Sequence, residues 1–164
     1  MNNGLRQDII DILKSDARCS LELIAKQAGC TEEEAAAEIA ALEADNVILG
    51  YHAMINPDLM DNEKVSAIIE VNVSPQREQG FDAIAERIYR FDEVDTVLLI
   101  SGGFDLLVMV EGKTMREVAF FVAEKLSTIE NVTATATHFV LKHYKQDGVI
   151  ISAEPEDDRL AVVP

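Results

Sequence analysis

The chain has 164 residues, of which 48% are hydrophobic and 27% are charged, so it can form one ordinary domain or two small ones. Its two cysteines are too few for a disulfide scaffold, no apolar run reaches the roughly 18 residues of a membrane helix, and its first residues lack a signal-peptide layout, so we expect a cytoplasmic protein. The net charge of −16 opposes nucleic-acid binding at long range, so DNA binding would need a local patch of cations.

The first quarter of the chain predicts three short amphipathic helices. Ser20 is a good N-cap for the second helix, and Gly29 interrupts the apolar periodicity after it. Thr31 and Glu34 have the spacing of a capping box, which starts the third helix. Because only Gly29 and Cys30 separate the second helix from the third, the pattern indicates a helix-turn-helix. The predicted helices cover residues 4–15, 21–28 and 31–46.

The segment after these helices is short, apolar and rich in strand-forming residues. It reads VILGYHAMI over residues 47–55, which predicts a wing hairpin or a strand leading away. A turn signal, Asn56-Pro57-Asp58, and a polar stretch follow it. We therefore predict a winged helix-turn-helix domain over residues 1–55 and a linker over residues 56–64.

The second half alternates strands and helices in the order βαββαβ. This order predicts a ferredoxin-like antiparallel sheet with both helices on one face, and hence the α+β class. The strands are apolar on both faces, so we expect a second copy of the chain to cover the open face. The predicted strands are 65–73, 94–100, 106–111 and 132–145, the helices 81–89 and 114–126, the domain 65–147 and the loosely held acidic tail 148–164.

Several stretches resemble the Lrp/AsnC family of prokaryotic regulators, also called feast/famine proteins. The most specific is 101–107, which is similar to the family's turn of Thr or Ser with Gly, an aromatic residue and Asp. The resemblance implies a dimer through the C-terminal sheets, often assembled into tetramers or octamers. It also implies an amino-acid effector bound between C-terminal domains and control of transcription on double-stranded DNA. The other matching stretches are 5–10, 16–20, 21–25, 42–51, 55–57 and 132–137.

The predicted third helix is unusual for a helix that reads DNA. No Lys or Arg occurs from Ala28 to Glu63, and the outward face offers alanine methyls and carboxylates, whereas phosphate contacts need cations. Two interpretations stay open: DNA binding that is salt-sensitive and depends on many copies, or a ligand-sensing or protein-interaction protein of this fold that has lost specific DNA binding. The candidate DNA-contacting residues are Arg6, Arg18, Lys26, Thr31, Glu33, Ala36 and Ala37.

The turn at 101–105 is the candidate effector site. Its two glycines permit a positive φ and a close approach of the backbone to a ligand, and Asp105 can pair with an α-ammonium group. Threonines alternate along the last strand and can supply hydroxyls. The alternatives are an ordinary hairpin turn and the plain β-propensity of threonine. The candidate effector-binding residues are Ser101, Gly102, Gly103, Phe104, Asp105, Thr135 and Thr137.

Motifs for catalysis and metal binding are missing from the sequence. There is no Gly-rich phosphate loop, no nucleophile elbow and no zinc motif, so we expect neither an enzyme nor a cofactor. His52, His138 and His143 are too scattered for a metal site. A related family of haem-pathway decarboxylases shares the two-domain layout, but its His- and Arg-rich motifs do not occur here.

Overall fold

A computed structural model describes residues 3–60, 64–74 and 80–151. The chain divides into two compact units, Met1–Ile55, called here the helical unit, and Asn56–Pro164, called the sheet unit. Within the described residues, no helix is long and apolar enough to cross a membrane. The expected linker holds a 3-10 turn, Pro57–Leu59. Most of the expected acidic tail, from residue 152 onward, lies outside the described residues.

The helical unit contains the three predicted helices. They are α1 (Asn3–Ser15), α2 (Leu21–Ala28) and α3 (Glu32–Ala44). Ser20 caps α2 by accepting the backbone N–H of Leu23 at 3.3 Å, and Gly29 ends it with a left-handed φ of 69°. The predicted capping box of α3 is confirmed, because Thr31 Oγ1 accepts the Glu34 N–H and Glu34 Oε2 accepts the Thr31 N–H.

The core of the helical unit is small and lies where the three helices meet. One apolar stripe of each helix points inward, as the helical spacing predicts. The end of α3 is closed by Leu42, whose carbonyl accepts the N–H groups of Val47 and Ile48 at 2.9 and 3.1 Å. The fully or nearly fully buried residues are Ile9, Ile24, Ala25, Ala35 and Leu42.

The segment after α3 differs from its prediction. Residues 47–55 adopt neither helix nor strand, so the expected hairpin or strand is not found. High β-propensity produces a strand only against a partner strand, and this segment has none in the described part of the chain. Its apolar side chains are instead largely solvent-exposed; Leu49, for example, is 87% exposed.

The sheet unit is built as predicted, from a βαββαβ core. Its antiparallel sheet has the strand order β2-β3-β1-β4, with α4 and α5 packed on one face. This confirms the ferredoxin-like arrangement. The elements are β1 (Val65–Val73), α4 (Asp82–Tyr89), β2 (Val94–Leu99), β3 (Leu106–Gly112), α5 (Met115–Phe120) and β4 (Val132–Phe139).

Alternate residues of the strands divide between a buried face and an open face. Ile69, Val71 and Val108 are fully buried under the helices. Their neighbours point the other way, so Met109 pairs with Ile68 on the open face, which no element of the described residues covers. The open face also carries the exposed Leu98, paired with Leu107. Both faces of the sheet are therefore apolar, as the sequence predicts.

Two stretches of the sheet unit differ from their predictions. The last long strand ends at Phe139 and not at residue 145, and Lys145–Gln146 (β5) pairs with Val149–Ile150 (β6) in a separate hairpin. Asp147 and Gly148 form its two-residue turn with positive φ, which is the Asp-Gly hairpin signal. The predicted boundary between domain and tail at 147/148 therefore cuts through a hairpin.

The predicted helix over 114–126 is also not uniform. Thr114 caps α5 by accepting the Glu117 N–H at 3.1 Å. From Phe121 to Leu126 the helix continues as a π-helical turn, and the Ser127 N–H reaches back to the Val122 carbonyl. The wider turn changes the direction in which the following side chains point.

Candidate functional site

The outward face of α3 carries no cation. Glu33 and Ala37 are exposed, whereas Ala36 is half-buried. The Thr31 hydroxyl is used in the capping box, so its observed contact is structural. Glu43 accepts the hydroxyl proton of Tyr51 at 2.9 Å, and desolvation together with this carboxylate raises the pKa of Tyr51. The face therefore offers methyl groups and carboxylates.

Arg6 is bound inside the helical unit. Its Nη2 donates to Asp45 Oδ2 at 2.7 Å, and its Nε lies 3.6 Å from Glu38 Oε1. Only 21% of the Arg6 side chain is exposed. The Arg6 guanidinium on α1 therefore bridges two carboxylates, Glu38 within α3 and Asp45 at its C-cap. The contacts that the structure shows for Arg6 thus hold two helices together.

The exposed cations among the described residues of this unit are Lys14 in the last turn of α1 and the two candidates Arg18 and Lys26. Within the described part of the chain, neither Arg18 nor Lys26 forms an ion pair. The Arg18 backbone N–H donates to Asp16 Oδ1 at 2.8 Å, which fixes the turn before α2. Lys26 lies in the last turn of α2. These two side chains are therefore able to contact phosphate.

The turn at 101–105 connects β2 to β3 and is anchored by Asp105. The Asp105 carbonyl accepts the Ile100 N–H at 2.8 Å, and its own N–H donates to the Val71 carbonyl at 3.1 Å. Its carboxylate reaches β1 as well, because Oδ2 accepts the Val73 N–H at 2.8 Å. Oδ2 of Asp105 therefore already has a hydrogen-bond partner within the sheet. The sequence carries no signal for this contact, which joins residues 32 positions apart.

The glycines of the turn leave room around the backbone. Neither Gly102 nor Gly103 has a positive φ, so the turn does not use the left-handed conformation that glycine permits. A Cβ at Gly103 would have no atom within 4 Å, and one at Gly102 would touch only the Ile100 side chain at 3.5 Å. Ser101, Gly102 and Gly103 are exposed, and Phe104 is half-buried. The glycines leave the backbone of the turn open to an approaching molecule.

The threonines of β4 lie on the helix-covered face. Thr137 pairs with Ile69 and Thr135 pairs with Val71, and both threonines are half-buried. Thr135 Oγ1 lies 3.3 Å from Ser127 Oγ. Since β1 lies between β3 and β4, Asp105 and Thr135 flank the end of β1 from opposite sides. Thr137 lies two residues further into the sheet.

Metal chemistry has no arranged donor set in the part of the chain that the structure describes. No group of three or more His, Cys, Asp or Glu side chains is placed there to hold an ion. His138 lies 3.3 Å from Glu70, which makes a single cross-strand pair on the open face. The polar groups at the α3 face and at the 101–105 turn are thus backbone groups, carboxylates and hydroxyls.

Comparison with known proteins decides the family. The model of the Lrp/AsnC ligand binding domain matches residues 66–150, and the HTH-type transcriptional regulator YugG of Bacillus subtilis is 47% identical over 158 residues. That alignment covers 96% of this chain and 95% of YugG. The chain belongs to the Lrp/AsnC family. This Lrp/AsnC protein is accordingly a transcriptional regulator.

Two further comparisons place this Lrp/AsnC regulator beside a more distant sequence relative and a solved structure. It is 27% identical to the proline dehydrogenase transcriptional activator of Rhizobium radiobacter over 141 residues, which is 86% of this chain and 90% of that protein. A transcriptional regulator of Neisseria meningitidis, solved in complex with L-Met, has the same fold with a TM-score of 0.70. The two sequences are 19% identical, and the superposition covers 87% of this chain and 91% of that one.

Proposed function

We propose that this regulator binds double-stranded DNA through α2 and α3 and responds to an amino acid held at the 101–105 turn. The observation that carries the proposal is the exposed, side-chain-free backbone of that turn next to the Asp105 carboxylate. The division of the chain after Ile55 supports a DNA-binding part and an effector-binding part. A regulator of this kind acts where the chromosome is, so the cytoplasm is its proposed location.

The DNA-binding half of the proposal treats α2 and α3 as a helix-turn-helix. Arg18 and Lys26 would neutralise phosphates, while the alanine methyls of α3 would contact thymine methyl groups and Glu33 would accept from cytosine N4. Few cations and a net charge of −16 make such binding weak per copy and steep in its salt dependence. Arg6 is assigned to positioning α3 and not to phosphate.

The effector-binding half combines three kinds of group. The exposed N–H groups of residues 101–103 would receive a carboxylate, the second oxygen of Asp105 would receive an α-ammonium, and Thr135 would supply a hydroxyl. Thr137 and Phe104 would border the effector side chain. The L-Met complex of the Neisseria meningitidis protein, which shares this fold, supports an amino acid as the effector class.

The proposed assembly is a homodimer through the open face, with tetramers or octamers as further steps. Within the part of the chain that the structure describes, no element covers its apolar residues Ile68, Leu98 and Met109, and an apolar sheet face of this kind favours association. An effector held between copies would stabilise one assembly over another. Because the assembly sets the spacing of the helix-turn-helix pairs, the effector would change which DNA sites fit.

One observation favours a second candidate function. The exposed face of α3 has no Lys or Arg, and the nearest arginine on α1 is bound to Glu38 and Asp45. A face of methyl groups and carboxylates is also suited to a protein partner. The second candidate is therefore a ligand-sensing or protein-interaction regulator that has lost specific DNA binding.

A DNA-binding measurement separates the two candidates. Fluorescence anisotropy with the DNA upstream of the protein's own gene, at low and near-physiological salt, should show saturable, sequence-specific binding. The Arg18→Ala, Lys26→Ala double variant should bind at least tenfold more weakly, and its slope of log K against log salt should fall by about 2. Lys142→Ala with Lys145→Ala is the matched control, because those exposed lysines lie in the sheet unit. No binding at low salt would favour the second candidate.

The effector site is tested by filling the open space above the turn. Gly103→Val should fold normally, since its Cβ meets no atom within 4 Å and its φ is not left-handed. The new side chain would cover the exposed backbone and abolish any effect of a panel of L-amino acids on DNA binding. Val149→Ala in the separate hairpin is the control. An unchanged amino-acid response in Gly103→Val would contradict the proposed site.

A further inference from the structure

A cavity of about 560 Å³ lies within the sheet unit, at the end of the sheet opposite the 101–105 turn. Lys64 precedes β1, Asp92 precedes β2 and Gly112 ends β3, and all three line it, whereas the 101–105 turn joins the other ends of β2 and β3. The volume falls in the range of small-molecule sites. We name it the Asp95 cavity, after a carboxylate on its wall.

The Asp95 cavity has an apolar floor with an aromatic wall. Val110, Val118 and Phe121 are almost fully buried, and Phe120 beside them is 47% exposed. Gly112 keeps this end of the sheet close to α5, because a Cβ there would lie 2.9 Å from Val118 Cγ2. A ligand with an apolar body could therefore lose contact with water against this floor.

Two irregular elements direct side chains to the cavity. The pairing of β2 with β3 shifts register between Val94 and Thr96, which makes Asp95 the extra residue of a β-bulge. The π-helical turn Phe121–Leu126 brings Glu124 and Lys125 to the opposite wall. Bulges and π-helical turns interrupt regular hydrogen bonding and often accompany binding sites. Here both irregularities border one space.

The charges around the Asp95 cavity are unbalanced toward the negative. Six carboxylates and three ammonium groups line it. Lys64 pairs with Glu111 at 2.6 Å, and Lys125 pairs with Glu93, so these four groups largely neutralise one another. The remaining charged side chains are Asp92, Asp95, Glu117, Glu124 and the ammonium of Lys113.

The excess of negative charge affects the pKa of Asp95. Its partial burial and the neighbouring Glu111 raise the pKa of the Asp95 carboxyl, against the smaller opposing effect of Lys64. Lys125 Nζ lies 5.6 and 5.9 Å from the ring centres of Phe91 and Phe121, so it already occupies the faces of these rings. A positive group entering the cavity would therefore gain from the carboxylates that are not paired with a lysine, Asp95 among them.

We propose that the Asp95 cavity binds a small organic cation: a primary amine with an aromatic or branched apolar body and no carboxylate. Asp95 receives the ammonium group, and Phe120 with the buried valines receives the apolar body. The excess of carboxylates disfavours an α-carboxylate, which separates this ligand from an amino acid. The site is distinct from the effector turn, and its existence does not depend on DNA binding.

Three probes with the same ring test the ligand class by isothermal titration calorimetry on the full chain carrying Gly103→Val, so that an amino acid bound at the 101–105 turn does not add to the signal. Phenethylamine carries only an ammonium group, phenylalanine adds a carboxylate, and phenylacetate carries only a carboxylate. We expect phenethylamine to bind at least tenfold more tightly than either of the others. Equal or tighter binding of phenylalanine or phenylacetate, or no binding of phenethylamine, would overturn the proposal.

Two variants locate the binding. Asp95→Asn and Phe120→Ala should each weaken phenethylamine binding at least fivefold. Glu22→Gln removes the same charge from an exposed position of the helical unit and should leave the affinity unchanged. Circular dichroism checks that each variant is folded. Undiminished binding in both Asp95→Asn and Phe120→Ala would show that the amine binds elsewhere and would contradict the proposal.

Discussion

The helical unit and the sheet unit of this regulator are stabilised by different means. Among the described residues, twelve buried side chains form the core of the sheet unit and five form the core of the helical unit. A small core stabilises weakly, so capping and ion pairing carry a larger share of stability in the helical unit. Its capping box at Thr31 and the contacts of Arg6 with α3 have that role. The comparison predicts that the helical unit is the first to unfold.

The largest expected effect comes from removing a core side chain of the helical unit. Leu42→Ala should cost about 3 kcal/mol, because Leu42 is fully buried where α3 meets the other helices. We expect the helical unit to unfold at low urea while the sheet unit stays folded. Hydrogen exchange read by peptide reports each unit separately. Loss of protection in both units at the same urea concentration would argue against the comparison; Leu49→Ala, at an exposed position, is the control.

Arg6→Ala should have the next largest effect. It removes two ion pairs of a side chain that is only 21% exposed, so we expect a loss of about 1 kcal/mol from the helical unit. Urea unfolding followed by circular dichroism measures the loss. Because Arg6 is assigned to positioning, the salt slope of DNA binding should not change. A slope reduced by about 1 would instead show a phosphate contact.

Thr31→Ala tests the share that capping contributes. The substitution removes the side-chain acceptor of the Glu34 N–H, and such a loss costs about 1 kcal/mol. Thr31→Ser keeps the oxygen and should retain most of the stability. Thermal unfolding of the two variants side by side gives the comparison. Equal melting temperatures for Thr31→Ala and Thr31→Ser would mean that the Thr31 cap does not contribute measurably to the stability of the helical unit.

Asp95→Asn should have the smallest effect, and its sign depends on pH. The pKa of Asp95 is raised in the folded state, so the folded protein binds this proton more tightly than the unfolded chain and loses stability as pH rises through that pKa. Asn carries no charge, so the variant should melt slightly higher at pH 7, by at most about 2 °C. The gain should disappear near pH 3. A lower melting temperature at pH 7 would contradict the assigned cause.

Local signals predicted most of the fold because they act over a few residues. The Ser20 cap, the capping box of α3, the Thr114 cap of α5 and the alternating strands all follow from spacing within the chain. The hairpin at Asp147 and Gly148 had such a signal too, but the apolar run before it suggested a longer strand. The prediction of a wing at 47–55 was wrong because β-propensity alone does not form a strand without a partner strand.

The site contacts that could not be predicted from the sequence join residues that are far apart in the chain. Arg6 and Asp45 are 39 residues apart, so the sequence presents Arg6 only as one of few cations near a DNA-binding motif. The contact of Asp105 with Val73 and the walls of the Asp95 cavity likewise join separate elements. Charged groups and hydroxyls can be identified in a sequence, whereas their ion-pair and hydrogen-bond partners are determined by the packing of the fold.

The alanine-rich face of α3 also makes the protein a scaffold for engineering. Ala37, Ala40 and Ala41 are exposed, and arginine is nearly as good a helix former as alanine. Arginine or asparagine introduced there would change the surface that is proposed to contact DNA while leaving Ala35 and Leu42 in the core. New operator preferences could thus be selected from a library at these three positions without redesigning the rest of the helical unit.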